Sequence, residues 1–261
     1  MIDIQSQPDD RNIPINKVGI KGLKYPVKVR DKSKGFQSTV AQISMFVDLP
    51  HQQKGTHMSR FIEMLHQFRE QVSLESLTNI LEDMKKTLGA ESSHIEIAFP
   101  YFISKEAPVS KTPGLMDYSC TISGFSDKDK NRDLVLKVAV PVTSVCPCSK
   151  EISKYGAHNQ RGEVLVSVRF KKFIWIEDIV DIVEKSASCE LYSVLKREDE
   201  KFVTENAYDN PMFVEDIVRE VASELIADNN ITWFAVSAEN FESIHNHSAY
   251  AYIEKGDGYK S

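Results

Sequence analysis

The chain has 261 residues and a net charge of −6, and its hydrophobic and charged fractions of 41% and 27% are ordinary for a globular protein. The negative balance argues against general affinity for nucleic acid or anionic membrane, while a local basic patch can still hold phosphates. No apolar run approaches the roughly 20 residues that span a bilayer, and the polar, acidic start from Met1 to Asp10 does not read as a secretory signal. Four cysteines, two of them in a CxC, do not resemble a disulfide framework. The expectation is a cytoplasmic protein with reduced thiols.

In chain order, residues 1–20 read as an irregular leader. Tyr25 to Arg30 and Gln37 to Leu49 are predicted strands, joined by a turn at Lys34 and Gly35. A helix begins at Ser59 with Phe61, Ile62, Leu65 and Phe68 on one face. A second spans Leu74 to Leu88, capped by Ser73 and closed by Gly89. His94 to Ile103 and Met116 to Phe125 are strands, giving the order β-β-α-α-β-β. The second half repeats it. Leu134 to Val145 and Glu163 to Phe170 are strands, and Ile176 to about Leu195 is a helix. The next helix has Asn210 as N-cap and Pro211 at its first position, and runs to about Ala227. Ile231 to Ala238 and His247 to Ile253 close the chain as strands. This order predicts an α+β fold of tandem repeats, residues 21–132 and 133–261, with one antiparallel sheet and helices on one face. A glycine fingerprint and a phosphate loop are both missing.

Four clusters carry candidate chemistry. Cys146 and Cys148 end an apolar run, and His158 follows after a short polar segment. Thiolate and imidazole are ligands that zinc-like ions prefer, and an incomplete set suits a reactive site better than a closed structural knuckle. The bland alternative is a pair of core or redox cysteines, but Pro147 and the polar flank Ser149, Lys150 and Glu151 point to a loop, where Lys150 would favour a thiolate. Cys120 and Cys189 fall within strand and helix patterns and read as packing residues. In the second cluster, His245 and His247 are two apart and point to one side in extended chain, with Glu239 and Glu242 close by. The alternative there is a polar turn. The third, from Gln53 to Arg60, offers Lys54, His57 and Arg60 with free backbone N–H groups at a helix start, a phosphate-holding combination that an ordinary capped helix matches equally well. The fourth is acidic: Glu198, Asp199, Glu200, Glu205 and Glu215. Spacing alone selects no ligand among these carboxylates.

At Asp10–Gly19, Lys54–Phe61, Pro141–Ser153, Tyr155–Gln160, Val203–Glu205, Phe213–Asp216 and Glu239–Tyr250 the sequence resembles the metal-dependent type IB GTP cyclohydrolase I family. The resemblance implies a tunneling fold and a homotetramer with active sites at subunit interfaces, and the charge and hydropathy read above add no nucleic-acid or membrane partner. It implies conversion of GTP and water to 7,8-dihydroneopterin triphosphate and formate, the first step toward folate and, in many bacteria, queuosine. The implied cofactor is a divalent ion, zinc or manganese, with iron a further candidate. Carried over by motif, Cys146, His158 and Glu200 are the implied metal ligands, and Glu215 anchors the guanine edge. Cys148, Glu242, His245 and His247 line the reacting end. Lys54, His57, Arg60 and Lys150 are candidates for the triphosphate.

The implied chemistry accounts for these residue types. C8 of guanine is a poor electrophile, so the attacking water needs metal activation. Ring opening and pterin closure move several protons, work that suits imidazoles as a class. The rivals are a nitrile reductase of queuosine synthesis on the same fold, using a nucleophilic cysteine and NADPH, and a non-catalytic pterin- or nucleotide-binding protein with a structural metal. The pairing of His245 and His247 with His158 argues against the first, because thioimide chemistry needs no metal triad.

Overall fold

Strands dominate a computed structural model of the chain that describes residues 5, 7–67 and 74–256. The elements run β1 (Ile15–Asp31), β2 (Gly35–Leu49), α1 (Met58–Gln67), α2 (Leu74–Leu88), β3 (Ser93–Glu106), β4 (Pro113–Ser126) and β5 (Arg132–Val145). They continue as α3 (Pro147–Ile152), β6 (Asn159–Phe170), α4 (Ile176–Lys185), β7 (Cys189–Glu190), α5 (Arg197–Asp209), α6 (Val214–Ala227), β8 (Ile231–Asn240) and β9 (Ala249–Gly256). Hydrogen bonding orders the strands β1-β2-β3-β4-β5-β6-β8-β9, with β7 beside β5. The β1–β2, β2–β3, β5–β7, β6–β8 and β8–β9 pairs are antiparallel. The sheet and its helices form the expected α+β architecture. Among the described residues no helix is long and apolar enough to cross a membrane.

The chain divides into two compact units, Met1–Pro100 with Thr121–Leu136, and Tyr101–Cys120 with Lys137–Ser261. In the first, Phe61 and Leu65 of α1 and Leu77, Leu81 and Met84 of α2 are buried, as are Ile43, Met45, Ile95 and Ile97 on the strands. In the second, Ile179, Val180 and Val183 of α4 and Ile217, Val218, Val221 and Leu225 of α6 supply the helical side of the core. Alternate strand residues Val138, Val140, Val142, Val164, Val166 and Val168 supply the other side. The helical spacing places each apolar set on one stripe, and the period-two spacing turns each strand's set to one face.

Several sequence expectations are corrected. The leader ends earlier than residue 20, because β1 starts at Ile15 and pairs with Leu49. The helix from Ile176 stops at Lys185 rather than near Leu195. Ser186 turns it off by donating its N–H to the carbonyls of Ile182 and Val183 and its hydroxyl to Ile182. Cys189 therefore sits in β7, opposite Thr143, though it is buried as expected. Asn210 is the C-terminal cap of α5, with its N–H on Asn206, and not the N-cap of α6. That helix begins at Val214, where the Asp216 carboxylate accepts the Phe213 N–H at 3.1 Å. The expected Ser73 cap of α2 lies outside the described residues.

The start of α5 is fastened by one buried carboxylate. Asp199 accepts N–H groups from Val109 and Ser110, both at 2.8 Å, and from Lys196 at 2.9 Å, together with the Ser110 hydroxyl at 2.7 Å. Burial alone would raise its pKa, but these donors outweigh burial and hold it well below the usual carboxylate range. Such a group stabilises the fold fully above its unfolded pKa of about 3.9, and the contribution fades as pH falls toward the folded value. Asp199→Asn should therefore be less stable than the wild type in urea unfolding at pH 7, with the gap narrowing as the pH drops below about 4. A gap that is constant with pH would show that the charge is not what the donors hold.

Candidate functional site

Strand β5 delivers its last residue, Val145, into a small apolar cluster with Cys189 and Ala207, against which Ala157 and Val203 pack. Its N–H is received by the Ser188 hydroxyl at 3.1 Å, and its carbonyl receives the Met212 N–H at 3.1 Å. The next residue, Cys146, caps α3, whose first position is Pro147, a residue that lacks the N–H that would go unused there. The Cys146 sulfur accepts the Ser149 N–H at 3.5 Å, and the Cys146 N–H bonds the His158 carbonyl at 3.2 Å. Ser149 completes the connection: its hydroxyl donates to the Cys146 carbonyl at 3.0 Å and accepts the His158 N–H at 3.2 Å. Cys146 and His158 are thus held together through the backbone.

The His158 ring has defined neighbours. Its Nδ1 lies 3.0 Å from the Gln160 amide oxygen and 3.4 Å from the Ser243 hydroxyl, so both contacts are made by Nδ1 and neither by Nε2. Ser243 belongs to the β8–β9 connection, so this contact brings the expected histidine loop to His158. The loop leaves β8 with the Phe241 N–H on the Arg161 carbonyl at 2.9 Å. His245 and His247 lie in bends before β9 rather than at the start of a strand, and both are exposed. Their rings still turn to one side and stack, with centroids 5.2 Å apart at 16°. Cys148 is exposed and Glu242 half-buried. By contrast, burial pushes the thiols of Cys120 and Cys189 up, which fits packing residues.

Glu200 projects from α5. Val203 and Ala207, which face the Val145 cluster, stand three and seven residues after it, so the helical repeat places Glu200 on the same face. Its side chain is exposed, and among the described residues no group of three or more His, Cys, Asp or Glu side chains is assembled that could hold a metal ion. The chain brings Cys146 and His158 together and orients the helix face of Glu200 without closing the triad. The donor types, one thiol, one imidazole and one carboxylate, suit a zinc-like ion. Glu215 is exposed in the first turn of α6, which follows Met212, whose N–H bonds the Val145 carbonyl; Asp216 does the capping.

The phosphate candidates fare unevenly. Lys150 points its ammonium at the Tyr208 carbonyl and over the Tyr208 ring, 4.3 Å from the centroid. Lys54, His57 and Arg60 belong to the other compact unit. There the Lys54 and Gly55 N–H groups, expected to be free, are taken by the carbonyls of Gln7 and Gln5 at 2.9 and 3.0 Å. Arg60 donates to the Thr87 carbonyl at 3.3 Å. Sequence reasoning missed Ser144, Ser149, Gln160, Ser188 and Ser243, all of which tie the site together. The signal for two of them was a polar side chain at an inward strand position. If Val145 is the pivot, Ser188→Ala should leave its buried N–H unpaired and cost about 1–3 kcal/mol in chemical denaturation. An unchanged midpoint would remove Ser188 from that role.

A family model described as type I GTP cyclohydrolase folE2 matches residues 1–251. A GTP cyclohydrolase FolE2 of Desulfosudis oleivorans is 62% identical over 98% of both chains. One from Syntrophus aciditrophicus is 60% identical over 98% of this chain and 100% of its own. Among solved structures, urate oxidase from Bacillus subtilis 168 superposes with a TM-score of 0.54 at 8% identity, covering 92% of this chain and 98% of that one. A uricase from Bacillus fastidious gives 0.56 at 7% identity, covering 92% of each. At such low identity the likeness speaks for the fold alone, and that fold is the tunneling fold. With a family match over nearly its whole length and relatives at about 60% identity, the chain belongs to the type I GTP cyclohydrolase folE2 family.

Proposed function

We propose that this chain is a metal-dependent GTP cyclohydrolase I of the IB subtype that converts GTP and water to 7,8-dihydroneopterin triphosphate and formate. The observation that carries the reading is the meeting of Cys146, His158 and the His245–His247 loop at one place, through Ser149 and Ser243. Cys146, His158 and Glu200 would hold a divalent ion, zinc, manganese or iron. When bound, that ion supplies Lewis-acid activation of water for attack on C8 of guanine.

The chain's own groups do the rest. Glu215 presents two oxygens that can accept paired N–H groups of the guanine edge. The stacked imidazoles of His245 and His247, together with Glu242 and Cys148, move protons during ring opening and pterin closure. Lys54, His57, Arg60 and Lys150 are the candidates for the triphosphate, each supplied by this copy or by a neighbouring one, and Lys150 would leave the Tyr208 carbonyl to reach it. A neighbouring copy in a homotetramer would close the site over the exposed Glu200 and Glu215. Halves 21–132 and 133–261 are the proposed tandem repeats. The setting is cytoplasmic, at the first step toward folate and, by the same product, queuosine, with neither nucleic acid nor membrane as partner.

Chelation of the purified protein should abolish release of formate and of fluorescent oxidised neopterin from GTP, and zinc or manganese should restore both. A folded oligomer that makes neither product with either metal would overturn the assignment. His245→Ala should keep its metal content while kcat falls by about 100- to 10,000-fold, the span that general acid–base groups contribute. Turnover near the wild-type rate in that variant would remove His245 from the chemistry.

A further inference from the structure

A neutral imidazole carries one proton, and only the other ring nitrogen has a lone pair for a metal. Which nitrogen of His158 is free therefore decides through which atom it can act as a ligand. Its Nδ1 is 3.0 Å from the amide oxygen of Gln160, an atom that only accepts. The other end of that amide donates from Nε2 to the Ser144 hydroxyl at 2.8 Å. Ser144 is fully buried and Gln160 is 7% exposed, so the contact between them is kept from water, while the contact to His158 is part-buried. The backbone sets this up: Gln160 is the second residue of β6 and turns inward, while its neighbours Asn159 and Arg161 are exposed.

We infer that Gln160, held by Ser144, is the positioning residue that fixes the His158 proton on Nδ1 and leaves Nε2 free to bind the ion. The inference rests on the reading of His158 as a metal ligand. The Ser243 hydroxyl, 3.4 Å from the same Nδ1, is exposed and longer, and serves as a second acceptor rather than the one that sets the tautomer. An amide turned the other way would present its N–H₂ to Nδ1. It would drive the imidazole proton to Nε2 and leave no lone pair there.

The test uses the full chain, stripped by chelation and titrated with zinc or cobalt(II) against a chromophoric competitor. Cobalt absorption reports thiolate and imidazole ligation. Gln160→Met keeps the side-chain length and removes the acceptor. Gln160→Glu keeps an acceptor facing Nδ1, and the Ser144 hydroxyl can turn to donate to it. Loss of such an outer hydrogen bond typically weakens metal binding by about 10- to 100-fold. That loss is expected for Gln160→Met, with Gln160→Glu within a few-fold of the wild type. A pure packing role predicts the reverse, because Met would be tolerated and a buried carboxylate would not. Gln160→Met binding like the wild type, or Gln160→Glu binding worse than Gln160→Met, overturns the inference. Ser144→Ala offers a second route, with a smaller loss expected. His158→Ala separates the two levels. If it binds like the wild type, or if the wild type takes up no ion, the ligand reading falls and this inference falls with it. If it loses affinity while Gln160→Met does not, only the role of Gln160 is lost.

Discussion

The backbone of Val145 takes hydrogen bonds in two directions, its N–H on Ser188 and its carbonyl under the Met212 N–H, while its side chain fills the space between Cys189, Ala207, Val203 and Ala157. Five segments meet there: the strand before Cys146, the connection from α3 into β6 at Ala157, the turn from α4 into β7, the inward face of α5, and the approach to α6. All but the turn from α4 into β7 carry or precede a candidate functional group. Buried peptide groups seldom go unpaired, because each missing partner costs about 1–3 kcal/mol. Those two hydrogen bonds therefore fix how the segments come together more firmly than the small apolar cluster does alone. Cys146 follows Val145 directly, so any slip at the pivot moves the thiol.

The same logic explains why α5 can be a helix at all. Its sequence is mostly charged, and within it only Asp199 and Ala207 are buried. A helix with so thin an apolar stripe gains little from burial and depends on its ends. Asp199 supplies the N-terminal end by gathering donors from Lys196 and from the β3–β4 turn at Val109 and Ser110. Asn210 supplies the other, with its side-chain amide on the Ala187 carbonyl at 3.0 Å. Glu200 is next to the clamped residue, so its helix position is fixed although its carboxylate is exposed.

These two cases also show what the sequence could and could not reveal. Strands such as β2 and β5 were legible because one face is buried and period two follows. The first part of β1 was not. Residues Ile15 to Leu23 are largely exposed, and they are held by register against β2 with a bulge at Gly22. That glycine takes φ +69, and its N–H reaches the Ser44 hydroxyl at 3.2 Å. Helix α5 was invisible to periodicity for the reason just given, and β7 is too short to have a period. At the site, Cys146, His158, His245 and His247 announced themselves by chemistry. Ser144 and Gln160 did not, because neutral polar residues in a strand look like surface until the register shows them facing inward. The ambiguity among the acidic residues has a similar origin. Spacing cannot separate Asp199, which faces inward and holds structure, from Glu200 one step around the helix.

The candidate groups differ in how they are held, and the difference matches the tasks proposed for them. Cys146 and His158 sit in a closed set of hydrogen bonds through Ser149, Gln160 and Ser144, with little freedom to move apart. That suits ligands, whose geometry must exist before an ion arrives. His245 and His247 hang on an exposed loop whose start is fixed closely. At Gly162, opposite Asn240, a side-chain carbon would fall 2.5 Å from the Asn240 amide oxygen and 3.0 Å from the Glu239 carbonyl. The absence of a side chain lets β6 and β8 approach there, and the Phe241 N–H then bonds Arg161, one residue on. From that point the loop needs only Ser243 to reach His158. The proton-transfer role proposed for His245 and His247 would need groups that adjust as a substrate ring opens and closes, and an exposed loop anchored at its base can give that latitude without disturbing Cys146 and His158.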